Sequence, residues 1–384
     1  MHCRHVPLTV LRAVAAMAAV AMGGWFLGGC TIARRPGTEA AMPEAMPILI
    51  GFTNLQSWSR ITLPAPADSV MLVSPLIETR VPWNELVVSW NIEPAAEAGI
   101  SVAAHLPGET STNDLYRLGD WSANGQSPLV RTSHRGQKGA HAEVKTDTLV
   151  LRHATQQVRL QLQLHGALVR DPTRLRLVTA SFCNTALTRS ARPARREVWG
   201  TTLDVPERSQ VAYADGRAWC SPTSVSMILA WWSRQEHRPD LDRDVPEVAH
   251  AVHDPGWPGT GNWPFNMAYA GSFPGIRACA ARLQDLRAVE DLIAVGIPVV
   301  LSVNAPALRG KPLTPDGGHL VICVGFTESG DVVANDPWAR LEEGQRVRRV
   351  YPRANVERAW SHAHGLAYLV APADQIRAFP AVWR

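Results

Sequence analysis

Lysine is nearly absent. Lys138, Lys145 and Lys311 are the only three in 384 residues, so arginine carries the cationic charge, and no partner class follows from that bias. The net charge is only +4, too small at this length for an electrostatic nucleic-acid footprint, and no nucleic-acid partner is expected. No CxxC pair occurs, which excludes a zinc ribbon and a thioredoxin-type redox site. No cofactor or metal is expected. After residue 30 no segment is apolar over the roughly 20 residues that a membrane-crossing helix needs. Charged residues make up 19% and apolar residues 46%, the balance of a folded globular chain, with length enough for two domains.

The first thirty residues read as an export signal. Arg4 and Arg12 form a positive n-region, Ala13 to Phe26 an apolar stretch, and Leu27-Gly28-Gly29-Cys30 follows. Small residues before a cysteine resemble a bacterial lipobox, with cleavage before Cys30 and lipid added to its thiol. Such a lipid tethers a protein to a membrane without spanning it. This predicts a signal over 1–29, a tether over 30–47, and an exported, lipid-anchored location on the periplasmic or extracellular face. Cys3 leaves with the signal. Cys183, Cys220, Cys279 and Cys323 remain, and if Cys220 is catalytic, the odd number left cannot all pair internally. Cys183 and Cys323 sit among apolar residues as buried free thiols.

Residues 48–188 read as an all-β, sandwich-like accessory domain. Leu86–Trp90, Ile100–Ala104, Leu149–Leu151, Val158–Leu164 and Leu175–Ser181 are strand-like, and Val158–Leu164 alternates apolar and polar strictly, as a strand with one wet face does. Pro107-Gly108, Asn124-Gly125 and Asp171-Pro172 supply turns. Residues 189–198 carry four arginines and no large apolar side chain before Val198, so they are expected to form a solvated linker. From 199 to 384 the pattern becomes α+β. Val225, Ile228, Leu229 and Trp232 recur at helical spacing over Ser221–Arg234, a second helix is expected over Leu283–Val295, and the run Ile297–Val303 precedes a hairpin, His319–Phe326 returning as Val332–Asp336.

The chemistry centres on Cys220. A cysteine attacks only as thiolate, which a helix N-terminus and a cationic histidine favour. Cys220 opens the first predicted helix, and Pro222 suits its first turn. His319 follows Gly317-Gly318 at a strand start and suits a general base, worth about 10²–10⁴ in rate. The hairpin returns the chain to Asp336, which can fix the imidazole tautomer. Asn335 points to the opposite face from Asp336, so one of the two serves as orienter. Gln210 can donate its amide to an oxyanion beside the Cys220 N–H, a donor worth about 3–4 kcal/mol. The glycine-, tryptophan- and proline-rich stretch Gly256–Gly271 reads as a lid, cleft wall or self-packed loop, with Trp219, Trp263 and Asn266 as candidate cleft residues. His250, His253 and Asp254 form an HxxHD cluster too small for a metal site.

These residues resemble a known family. Val205–Gln210, Trp219–Ser224, Gly261–Ala270, Gly296–Val300, Gly318–Ile322, Asn335–Trp338 and Val347–Arg353 look like the papain-clan cysteine peptidases that cut double-glycine leaders from bacteriocins, and more closely like the exported, stand-alone peptidase-like branch. The resemblance spans nearly all of 200–372. It implies a papain-like fold with the nucleophile on Cys220, the base on His319, the orienting carboxylate on Asp336 and the oxyanion amide on Gln210. It also implies a peptide or protein substrate. Ser221 stands where the family often has glycine. The N-terminal region resembles the segment that accompanies this branch, with a Ser89-Trp90-Asn91 signature. Transporter and ATPase domains are not in the chain, so the leader-peptide substrate is not carried over. Acyl transfer to an amine, and a silent binding protein, are the alternative functions.

Overall fold

Period-two burial builds the first half of the chain. In the computed structural model, residues 46–63, 69–95, 97–107, 115–122 and 129–384 are described. The export signal, Cys30, most of the tether, and turn residues Gly108, Asn124 and Gly125 lie outside them. The strands are β1 (Ile48–Phe52), β2 (Ser59–Thr62), β3 (Ser69–Val73), β4 (Ile77–Ile92), β5 (Gly99–His105), β6 (Leu115–Ser122), β7 (Thr132–Ser133), β8 (Ala142–Lys145), β9 (Thr148–His165) and, after the short helix α1 (Ala167–Arg170), β10 (Leu175–Cys183). Val158, Leu160, Leu162 and Leu164 of β9 are fully buried, while the residues between them keep partial access to solvent. The sequence suggests separate short strands over 149–151 and 158–164. They are one strand of 18 residues.

That length changes the architecture. β9 pairs with β8 and β4 along its first part and with β3 and β5 along its last. Two half-sheets are thereby joined into one 11-stranded sheet. Trp83, Trp90 and Phe182 from one half and Ile100, Tyr116 and Trp121 from the other share one core.

The second half contains α2 (Cys220–Gln235), α3 (Val245–Val252), α4 (Trp263–Ala270), β11 (Ile276–Arg282), α5 (Leu286–Ile293), β12 (Val299–Asn304), α6 (Ala305–Leu308), β13 (Gly318–Phe326), β14 (Val332–Asn335), β15 (Arg348–Tyr351), α7 (Arg353–Ser361), β16 (Leu366–Pro372) and β17 (Ala381–Trp383). Six of its strands form an antiparallel sheet in the order β11-β16-β12-β13-β14-β15, and β17 instead crosses to pair in parallel with β1. The sequence marks one apolar face on α2. The helix is buried on every side from Ser221 to Trp232, because α3, α4, β13 and β16 surround it. Its serines, threonine and alanine supply the narrow faces that such packing needs. The second helix is shorter than its periodicity suggests, because Asp285 caps it by accepting from the Ala288 N–H.

The two halves interlock. β11 is a sheet edge, and exposed edges invite unwanted pairing. Here the Ala278, Ala280 and Arg282 N–H groups donate to Asn91 Oδ1, Ser89 Oγ and Ser181 Oγ, at 2.9, 3.0 and 2.8 Å. Ser89 and Asn91 point to one side of β4, and Trp90 points to the other, into the β core. This gives the Ser-Trp-Asn run a physical meaning. Gly271 lies against Asn91, where a Cβ would approach its side chain to 2.2 Å. The arginine-rich segment is largely solvent-exposed, and it is also tied down. Arg192 pairs with Asp285 at 2.8 Å, Arg195 with Asp291 at 3.2 Å, and the Arg195 N–H donates to Glu290, so the segment is strapped along α5.

Candidate active site

The hairpin β13–β14 positions His319 and Asp336. His319 is the second residue of β13, and Asp336 directly follows β14. His319 Nε2 lies 2.8 Å from Asp336 Oδ1. Asp336 is fully buried, and four donors surround it. The Trp338 N–H also donates to Oδ1 at 2.8 Å, and Oδ2 accepts from the Tyr351 hydroxyl at 2.6 Å and from Arg349 at 3.4 Å. Burial pushes the Asp336 carboxyl up, but the His319 hydrogen bond and charge, with Tyr351 and Trp338, hold it below the usual carboxylate range. Burial likewise pulls His319 down, yet its bonds to Asp336 and then to Cys220 raise it to about 9. With Nε2 engaged by Asp336, Nδ1 is the ring nitrogen left for Cys220. Asn335 points the other way, donating to the Val205 carbonyl at 3.1 Å and accepting from Arg348.

Cys220 is the first residue of α2. The N–H groups of a helix's first turn have no intrahelical partner, and Pro222 removes one of them, leaving those of Cys220 and Ser221. Cys220 is half-buried, whereas Cys183, Cys279 and Cys323 are buried, and all four thiols are free. Burial raises those three to about 11, 12 and 12, which keeps them neutral and inert. Ser221 is fully buried, and its hydroxyl shares a 2.8 Å hydrogen bond with Tyr368 of β16. A serine is thus accommodated by a phenol partner.

Gln210 is buried within the same cavity but differs from the expected free donor. Its amide nitrogen donates to the carbonyls of Gly216 at 2.9 Å and Arg217 at 3.0 Å, leaving its Oε1 buried without a partner. Two carbonyl neighbours can face only the NH₂ end, so both amide hydrogens are committed. Of the candidate cleft residues, Trp263 lines the cavity. Trp219 does not; it packs on Tyr213 and His250. Asn266 is fully buried and donates to the Thr260 and Asn262 carbonyls, closing the loop onto α4. His250 lies in the last turn of α3, and His253 follows the helix as its C-cap. Asp254 accepts from Ser133, Gly256 and Asn262. Among the described residues no group of three or more His, Cys, Asp or Glu could hold a metal.

Cys220 and His319 open into a cleft of about 1250 Å³. Its walls include residues that sequence reasoning missed because they come from the other half of the chain: Glu85 on β4 and Lys145 to Thr148 at the β8–β9 turn. Arg282 lies at the cleft wall, ion-paired to Glu85 at 2.5 Å. No local pattern links these positions to the cysteine. Tyr351, by contrast, belongs to the quoted Val347–Arg353 run, and only the strand pairing reveals its partner.

The arrangement brings a thiol, an imidazole and a carboxylate into one line at a helix N-terminus. Two stretches of the chain match known protein families. Residues 202–368 match the Peptidase_C39 like family, and residues 67–182 match the Peptidase C39 N-terminal domain. A crystal structure of a C39-like peptidase from Bacillus anthracis is 17% identical, covering 44% of this chain and 96% of its own, with a TM-score of 0.35. No curated protein matches the chain. The C-terminal half of the chain thus carries a Peptidase_C39-like domain, preceded by a domain of the kind that stands N-terminal to C39 peptidases.

Proposed function

We propose that this chain is a cysteine peptidase that cleaves peptide bonds through an acyl-enzyme formed on Cys220. The carrying observation is the Cys220–His319–Asp336 line, whose thiol and imidazole border one cleft. The thiolate attacks the scissile carbonyl, forming a carbon–sulfur bond. The Cys220 N–H faces the oxyanion that develops. His319, cationic at neutral pH, gives its proton to the departing amine as the C–N bond breaks. Neutral His319 then takes a proton from water, whose hydroxide displaces Cys220 and releases the acid. Asp336 holds the ring and balances its charge. Gln210 adds a side-chain donor only if its amide leaves the Gly216 and Arg217 carbonyls.

A thiol-alkylating probe with a peptidyl recognition group tests this reading. Labelling is expected at Cys220 alone, with none in Cys220→Ser, and peptide-library cleavage should vanish with it. Labelling that persists in Cys220→Ser, or cleavage without Cys220, defeats the assignment.

The proposed setting is outside the cytoplasm, held at a membrane by lipid on Cys30. The basis is the sequence of residues 1–30. Metabolic labelling with an alkyne fatty acid should mark the full chain, and Cys30→Ser should lose the label. A labelled Cys30→Ser protein would remove the anchor from the model.

A further inference from the structure

The β8–β9 hairpin belongs to the N-terminal sheet, yet its two-residue turn, Thr146-Asp147, reaches the cleft that holds Cys220. Thr146 has φ of +50°, a left-handed conformation that is costly for a β-branched residue. The turn carries that cost while presenting Asp147. The carboxylate is largely buried. Oδ2 accepts from the Trp263 N–H at 3.0 Å and Oδ1 from the Thr148 hydroxyl at 3.1 Å. Each oxygen keeps further acceptor capacity.

What Asp147 lacks is a counter-charge. Buried carboxylates are ordinarily paired with a cation, but no ion pair to Asp147 occurs among the described residues. Arg282 on β11 is the cation whose charge reaches it, and Arg282 is already neutralised by Glu85. Lys145 of the same hairpin is exposed and lines the cleft. Tyr368 on β16 feels both Asp147 and Cys220 and is hydrogen-bonded to Ser221, which places Asp147 near the nucleophile. Burial, only partly offset by the Trp263 and Thr148 hydrogen bonds and by Arg282, raises the Asp147 carboxyl to about 6. A cation arriving with the substrate would supply the missing partner.

We infer that Asp147 is a specificity-determining residue of the cleft, contributed by the N-terminal sheet, which accepts a cationic group of the substrate near the scissile bond. The inference rests on the peptidase reading. The cation is an alkylammonium or guanidinium, carried either by a peptide N-terminus or by a basic side chain.

The test uses the full chain and needs no known substrate. Cys220 is modified with two small methanethiosulfonates, one bearing an ammonioethyl group and one a neutral methyl group, and the modified residue is assigned by mass spectrometry. Wild type should react with the cationic reagent about tenfold faster, relative to the neutral one, than Asp147→Asn does. Cys220 should still be modified by the neutral reagent in Asp147→Asn, which controls for folding, and the ratio of the two rates is what is compared. In wild type the preference should fade as pH falls through about 6 and as salt rises, a reading that needs no variant. An equal ratio in wild type and Asp147→Asn, or a wild-type ratio indifferent to pH and salt, overturns the inference. A Cys220 that cannot be modified by either reagent instead indicts the peptidase reading. For peptides found to be cleaved, N-acetylation and Lys→norleucine replacement then distinguish a terminal from a side-chain cation.

Discussion

Asp336→Ala is expected to lower kcat/KM by about 10³–10⁴-fold and to move its alkaline limb toward neutral pH. The direction follows from the forces on His319. Burial pulls the ring down, while the Asp336 hydrogen bond and the Cys220 bond bring it to about 9. Activity requires His319 to carry a proton for the leaving amine, so the wild-type profile should decline as pH passes about 9. Without Asp336 burial is less opposed, and the proton leaves at a lower pH. Asp336→Asn should be milder, since its carbonyl can still accept from His319, although its amide would then face Tyr351 and Arg349, both donors to Oδ2. The measurement is the pH dependence of kcat/KM for the three proteins, with Cys220 alkylation as a second readout. An alkaline limb that stays in place in Asp336→Ala would remove Asp336 from this role.

The same pair couples stability to pH. His319 is raised in the fold, so its contribution is complete below its ordinary value near 6.5 and is lost as pH climbs through about 9. Asp336 is depressed, so its contribution is present above about 3.9 and is lost as pH falls further, through its lowered folded value. The pair therefore contributes most between the ordinary carboxylate and imidazole ranges.

The Cys220–His319–Asp336 line is legible in the sequence because its members depend on local structure. A cysteine before Pro222 and a helical apolar period implies a helix start. A histidine after Gly317-Gly318, on a strand returning to Asp336, implies a hairpin. Alternation along β14 also separated Asp336 from Asn335. Gln210 borders the cleft, but its hydrogen bonds are not legible in the sequence, since Gly216 and Arg217 come near only through two short turns. The 18-residue β9 was broken in two because Arg152 to Gln157 are mostly polar and only partly buried or exposed; strand pairing overrides composition there. Asp147 was invisible for a topological reason. It is distant in sequence from Cys220 and joins the cleft only when the two halves dock.

That docking leads to the largest expected loss of stability, in Phe265→Ala. Phe265 sits on α4, in the peptidase-like half, but its ring enters the core of the N-terminal sheet. It packs at 6.3 Å from Trp90 and 5.3 Å from Trp121, over Gly119, where a Cβ would lie 3.3 Å from the ring. Truncating such a buried aromatic costs about 3–5 kcal/mol through lost burial and the cavity left behind, and roughly 4–7 °C in melting temperature for a chain of this size. The exchange runs both ways, since Leu49, Val87 and Leu177 of the sheet pack into the other core. Two cores that share side chains should unfold together, so calorimetry should give one transition in wild type, shifted down as a whole in Phe265→Ala. Activity should fall too, because α4 begins at Trp263, whose N–H holds Asp147 at the cleft. Phe265→Leu, which refills most of the space, should recover both. Two separated transitions in wild type, or a variant that loses stability in the sheet alone while cleaving normally, would show that the N-terminal sheet is an appendage. A joint loss would instead make it part of the enzyme's working surface.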